Sequence, residues 1–203
     1  MQLQKRLSNI KMPALRKNTL KLYDSIRDTF RSCPASTKFH HNWKGGLYDH
    51  TIEVIDYGEA IYEDINGKAI GFTRDDVIFV CFAHDLDKLD KYSNNPDFGK
   101  NGKWTENQEF IWNKKKIFVN AIGQTMGMLV KHGIEVTDMQ LNALTFAHGG
   151  WSSDKGNMEP LATILHCSDI LSLAFGTKNR TEGEFHKEYA NYVNEETGSG
   201  VEK

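Results

Sequence analysis

Residues 73–88 read TRDDVIFVCFAHDLDK, and the fold turns on how they are read. Thr73 followed three residues later by Asp76 is a capping-box pattern, which opens a helix running to about Leu86. From Val77 to Ala83 that helix is apolar without a break. A helix with no polar face has no side to show to water, so this one is expected at the centre of the molecule. The apolar run is far shorter than the roughly 20 residues that span a bilayer, so a membrane-crossing role is not expected. His84 and Asp85 follow at the end of this buried helix. A buried carboxylate without a partner is costly, and a metal cation is a natural partner for such a pair. Adjacent residues on a helix point about 100° apart, so the two can converge on one ion where the helix unwinds. Alone, a His-Asp dipeptide at a helix end reads as a solvated cap.

Outward from this segment the pattern is helical nearly throughout. Residues Pro13 to Phe30 carry Leu15, Leu22, Ile26 and Phe30 at helical spacing, and Pro13 suits a first turn. A polar and aromatic loop follows from about Ser32 to Gly46. The next helix runs from about Leu47 to Ile65 and is stopped by Asn66-Gly67. Lys91 to Lys103 reads as a loop, and a helix is predicted from about Glu106 to Val130. Thr137 and Gln140 form another capping-box pattern, opening a short helix that ends at His148-Gly149-Gly150. Helices are predicted over about Glu159 to Phe175 and Glu182 to Val193. No strand alternation or hairpin turn stands out. The expected fold class is all-α: a compact helical bundle in a single domain over 1–193, with 194–203 a flexible tail.

The 203 residues carry a formal net charge of -2, with a pI near 6.4. No global basic field draws such a chain onto long nucleic acid or membrane, whereas a small anionic substrate stays open. The cysteines Cys33, Cys81 and Cys167 are widely spaced and form no CxxC pair, which argues against a zinc knuckle. Cys81 and Cys167 lie in apolar stretches and read as small core residues. The N-terminal MQLQKRLSNIKMP lacks the apolar run of a signal peptide. A cytoplasmic, reducing setting is expected.

Two further residues extend the His84–Asp85 signal. His50 stands near the start of its helix in GGLYDHTIEV, and Asp169 stands mid-helix in LATILHCSDILSL. A carboxylate in so apolar a helix needs a cation or a hydrogen-bond network. Alternatives exist for each singly: a buried ion pair for Asp169, a core histidine bonded to Asp49 or a carbonyl for His50.

In order and context, His50, His84-Asp85 and Asp169 resemble the HD phosphohydrolase superfamily. FHHNWKGGLYDHTIEV is similar to its Gly-Gly-Leu-x-x-His-Thr segment, and CFAHDLDKLDKY to its His-Asp-(Leu/Ile)-Gly-Lys segment. NALTFAHGGWS resembles a later His-Gly turn, and PLATILHCSDILS a Leu-His-x-x-Asp helix. These segments cover about residues 39–175. The resemblance implies that His50, His84, Asp85 and Asp169 ligate a divalent metal. It implies that Lys88 meets substrate phosphate, and that His148 contacts phosphate or a second metal. Two departures stand out. Asp87 occupies the position of the usual glycine, and of the two extra histidines that binuclear members carry before the final aspartate, His148 has a counterpart here while His132 does not sit in a matching context. One metal is therefore favoured, with a second site left open.

A mixed histidine and carboxylate set suits Mn, Co, Ni, Fe or Zn. The expected chemistry is in-line attack on phosphorus by a metal-bound hydroxide, with Asp85, Lys88 and His148 as the catalytic side chains. Lys44 and Lys91 are further candidates for holding phosphate. The expected substrate is a small nucleotide, cleaved as by a 5′-nucleotidase or a deoxynucleoside triphosphate phosphohydrolase. The GGL and His-Gly segments also resemble those of HD exoribonucleases, so a phosphodiesterase on RNA ends or cyclic nucleotides is the alternative. A non-catalytic nucleotide sensor is a third reading, against which the intact ligand set argues. A homo-oligomer is compatible with the sequence. His166, three residues before Asp169, reads equally as a support for that aspartate or as a packed core histidine. His40 and His41 are expected on an exposed loop. Trp43, Trp104 and Trp151 are expected to cover the core edge rather than stack a base.

Overall fold

The computed structural model describes residues 2–65, 71–97, 109–115, 119–149 and 156–176. Within them the chain forms helices α1 (Gln2–Ser8), α2 (Pro13–Ser32), α3 (Gly46–Ile65) and α4 (Arg74–Ala83), then a 3₁₀ turn (Leu86–Asp90). Strands β1 (Tyr92–Asn94) and β2 (Phe110–Trp112) follow, then α5 (Ala121–Lys131), α6 (Asp138–Thr145), α7 (Pro160–Leu171) and a π-helical turn (Ser172–Gly176). The all-α class stands, with one small addition of sheet.

Helix α4 is the axis around which the others pack. Every residue from Asp75 to Ala83 is buried, and α4 contacts α3, α6 and α7. Its two acidic first-turn residues are buried because each is used. The Thr73 N–H and hydroxyl both donate to Asp76 Oδ2 at 2.7 Å, and Gln140 Nε2 donates to Asp76 Oδ1 at 2.6 Å. Asp75 Oδ2 accepts the backbone N–H groups of Lys11 and Met12 at 2.8 and 2.7 Å. The two carboxylates of the first turn of α4 thus tie it to α6 and to the α1–α2 turn. On α4's other end, Phe82 meets Tyr23 and Phe30 of α2 at ring-centroid distances of 6.3 and 6.0 Å. The second capping box is present too: Gln140 N–H donates to Thr137 Oγ1, and Thr137 N–H to Gln140 Oε1.

Three expectations are corrected. The helix predicted over Glu106 to Val130 is interrupted among the described residues: Phe110–Trp112 is a strand pairing antiparallel with Tyr92–Asn94, and α5 starts at Ala121, where the Asn120 side chain accepts from Gly123 N–H. Three aromatic and β-branched residues in a row favour a pleated, half-buried ribbon over a helix. Cys167 is exposed, while Cys33 and Cys81 are buried, because α7 turns Leu161, Ala162, Ile164, Leu165, Ser168 and Asp169 inward. Helix α1, with Leu3 and Leu7 buried, precedes the first helix read from the sequence. Asn66-Gly67, Trp104, Trp151, Gly150, the helix predicted over Glu182 to Val193 and the tail 194–203 lie outside the described residues. Among the described residues, no helix is long and apolar enough to cross a membrane.

Candidate metal centre

Helix α4 ends one residue before His84, and at Asp85 the backbone leaves helical geometry (φ −115°, ψ 16°) to enter the 3₁₀ turn. That unwinding aims both side chains at one point. His50 arrives from the first turns of α3, and Asp169 from near the end of α7; all four residues are buried. His50 Nε2 lies 3.3 Å from His84 Nε2, 3.3 Å from Asp85 Oδ2 and 3.2 Å from Asp169 Oδ1. His84 Nε2 is 3.3 Å from Asp85 Oδ2 and 4.0 Å from Asp169 Oδ1.

The ligand atoms of His50, His84 and Asp85 all lie within 4.8 Å of one another, a grouping that could hold a metal ion, and Asp169 Oδ1 adjoins it at His50. Ligands at about 2.1 Å from a common ion sit about 3.0–3.4 Å apart as neighbours and about 4.2 Å apart across it. The tautomers agree. His84 Nδ1 donates to the carbonyl of Cys81 at 2.8 Å, which leaves its Nε2 a lone pair. His50 Nδ1 is 2.9 Å from Ser172 Oγ, whose own proton goes to Glu53 Oε2 at 2.8 Å. The serine oxygen is therefore the acceptor, and His50 Nε2 also faces the cluster unprotonated. Two lone pairs and two carboxylate oxygens converging on one point fit a divalent cation. Asp85 Oδ1, buried with no hydrogen-bond partner, fits the same reading.

Without a metal, protons and a lysine balance the charge. Lys88 Nζ lies 2.5 Å from Asp85 Oδ2. Burial opposes the charge on Asp85, but His84 and Lys88 overrule it and hold the carboxyl well below its ordinary range. Burial likewise opposes charge on Asp169, His84 and Lys88. Yet His148 and His50 hold Asp169 down, Asp85 and Asp169 raise His84, and Asp85 raises Lys88. His148 spans the outer oxygens of both aspartates, with Nε2 3.5 Å from Asp85 Oδ1 and Nδ1 3.4 Å from Asp169 Oδ2. Its pKa is raised, burial being outweighed by the two carboxylates.

A cavity of about 410 Å³ opens beside the cluster, walled by His40, Lys88, His148, His166, Asp169 and Leu173. Lys88 and His148 thus sit at its wall. Lys44 is exposed and lines a separate cavity of about 340 Å³ with Cys33, Tyr92 and Phe110. Lys91 bonds Asp87 Oδ2 at 3.1 Å and lies 5.2 Å over the Trp112 ring. His132 is held by Ser25 Oγ and the Met128 carbonyl, away from these contacts. His166 supports the His148 turn rather than Asp169: its Nδ1 donates to the Ala147 carbonyl at 3.0 Å. A Cβ on Gly149 (φ +57°) would come within 2.4 Å of that imidazole.

The loop before α3 departs most from expectation. His41 is fully buried and His40 partly so, and both rings pack on His50, at centroid distances of 5.2 and 4.9 Å. His41 adopts φ +46°, and its carbonyl presses so close to Gly46 that a Cβ there would lie 2.0 Å away. Trp43 Nε1 donates to Asp49 Oδ2 at 3.1 Å, so Asp49 serves the loop and not His50. Burial pushes His40 down to about 3 and lowers His41 as well. Glu53 and Ser172 escaped the sequence reading, although each lies three residues after a candidate ligand, His50 and Asp169, one helical turn on.

The chain is similar to the 3′-5′ exoribonuclease YhaM of Halalkalibacterium halodurans. The two are 27% identical over 186 residues, covering 88% of this chain and 53% of that protein. The chain thus spans about half the length of the curated relative it matches. No protein-family model and no solved structure matches it.

Proposed function

We propose that this chain is an HD-type metal-dependent phosphodiesterase acting on RNA ends, with one divalent ion held by His50, His84, Asp85 and Asp169. The observation that carries the reading is the convergence of His50 Nε2, His84 Nε2, Asp85 Oδ2 and Asp169 Oδ1 from three helices, with both imidazole tautomers already set. Similarity to an exoribonuclease favours RNA ends over the small nucleotides expected from the HD resemblance. A bound divalent ion would polarise the phosphoryl group and ease deprotonation of the attacking water.

The remaining work falls to side chains of the cavity. Lys88 Nζ uses one N–H on Asp85 and has others to offer a non-bridging phosphoryl oxygen. His148, which spans the two aspartates, can offer an N–H to the oxygen on which charge accumulates as the bond to phosphorus breaks. Lys44 lines a different cavity and Lys91 is engaged by Asp87 and the Trp112 ring, so in this scheme they meet a more distant part of an RNA strand rather than the scissile phosphate.

The test is a 5′-labelled RNA oligonucleotide incubated with protein loaded separately with Mn, Co, Ni, Fe or Zn, alongside nucleoside mono- and triphosphates. Stepwise shortening from the 3′ end, with metal dependence, is expected. Phosphate or triphosphate release from the nucleotides with the RNA left intact would overturn the RNA reading in favour of a nucleotide hydrolase.

A further inference from the structure

The cavity wall holds a nitrogen that the metal centre does not use. Glu53 Oε2 stands at the root of two hydrogen-bond relays. One runs through Ser172 Oγ to His50 Nδ1 and sets the lone pair at the cluster. The other runs from Glu53 Oε2 to His41 Nε2 at 3.0 Å, and from His41 Nδ1 to His40 Nδ1 at 3.2 Å. A carboxylate only accepts, so His41 Nε2 carries a proton. In a singly protonated ring His41 Nδ1 is then the acceptor, and His40 Nδ1 donates to it. His40 Nε2 is then left with a lone pair, makes no hydrogen bond to a described residue, and belongs to a side chain lining the cavity.

An acceptor at this place is informative because two of the neighbouring side chains, Lys88 and His148, are donors, while the carboxylate of Asp169 faces the metal cluster. Lys88 and His148 present N–H groups, as a phosphate requires. A neutral imidazole nitrogen repels phosphate oxygen and welcomes a hydroxyl. The nitrogens of His40, His41 and His50 also lie within 4.8 Å of one another. A second cation held by the Nδ1 atoms of His40 and His41 would have to break the bond between them, so in the relay these nitrogens serve each other.

We infer that His40 Nε2 accepts a hydrogen bond from a ribose 2′-hydroxyl next to the scissile phosphate, making His40 the residue that distinguishes ribose from deoxyribose. Glu53 and His41 are positioning residues that hold its tautomer. The inference rests on the phosphodiesterase reading above and deepens it.

The experiment compares kcat/KM of metal-loaded protein on an RNA oligonucleotide and on the same oligonucleotide with 2′-deoxyribose in its last two nucleotides. Wild type is expected to favour the all-ribose substrate by about tenfold, the scale of one hydrogen bond. In His40→Ala that preference collapses towards one, and in His40→Gln, whose amide oxygen also accepts, it is partly restored. Metal content measured on the same preparations stays at the wild-type level. An unchanged preference in His40→Ala overturns the inference, as does loss of metal from that variant, which would make His40 a ligand. Equal wild-type rates on the two substrates also overturn it while leaving phosphodiester hydrolysis intact. If neither substrate is cut by any metal-loaded wild type, the phosphodiesterase reading itself fails.

Discussion

Asp85 concentrates the chemistry of the site in one carboxyl group. Its Oδ2 faces His50, His84 and Lys88, and its Oδ1 faces His148. Asp85→Ala is expected to abolish metal binding, but it also strands Lys88, whose side chain is only 10% exposed. An unpartnered buried charge costs about 3–5 kcal/mol, so the single variant loses stability as well as metal. Asp85→Ala combined with Lys88→Met separates the two effects. Thermal unfolding should recover most of the lost stability in the pair, while metal stays absent by elemental analysis. Metal retained at wild-type occupancy in either variant would falsify the ligand role of Asp85. Lys88→Met alone removes a competitor for Oδ2, so it should keep the metal at least as tightly and lower turnover by about 10²-fold, as should His148→Ala. If His148→Ala instead loses a second equivalent of metal, the centre is binuclear. The four candidate ligands were legible because a polar residue in an apolar helix is conspicuous. His40 and His41 were not, since two adjacent histidines in a polar loop look solvated until the loop is seen folded under Gly46.

At the scale of elements, the groups that orient His50 come from two different helices. Helix α3 carries His50 and Glu53, and α7 carries Asp169 with Ser172 at its end. The π-helical turn begins at Ser172, where the i→i+5 pattern adds a residue to the winding; such turns are frequent at functional sites. Ser172→Ala removes the acceptor that keeps His50 Nδ1 protonated. Partners of ligating histidines are typically worth 10–100-fold in metal affinity. A loss in that range is expected for Ser172→Ala and for Glu53→Gln, read by competition with a chelator, while circular dichroism stays helical. An affinity unchanged in both variants would show that the relay does not orient His50. The helices α2, α3, α4, α6 and α7 were legible from periodicity, capping boxes and first-turn prolines. The β1–β2 ribbon was not: three residues per strand are too few to show alternation, and the apolar run at Phe110–Trp112 was absorbed into a helix. Cys167 misled for a related reason, because an apolar neighbourhood in sequence says nothing of which face a residue takes.

Across the whole molecule, the candidate centre ties together α3, the end of α4 and α7, elements brought together from residues 50 to 169 of the chain. A ligand that binds only the folded state stabilises it by mass action, by about 4 kcal/mol at a thousandfold excess over its Kd. For a chain of this size that raises the melting temperature by about 10 °C. The increment depends on pH, and the sign follows from His84 and Asp85. The metal-free fold raises His84, so this histidine contributes stability that is fully present below its unfolded pKa of about 6.5 and lost as pH rises through the folded value. The same fold depresses Asp85, whose contribution is present above about 3.9 and lost as pH falls through its folded pKa. Metal-free protein is therefore relatively stabilised between those limits, where a proton on His84 does part of the work of the cation. A metal must displace that proton, so its advantage grows as pH rises through neutrality. Melting curves of metal-free and metal-saturated protein, compared from pH 5 to 9, should lie close together at the acid end and separate towards the alkaline end. A gap that stays constant over this range would mean that His84 does not change protonation on binding, and the histidine would have to leave the proposed ligand set.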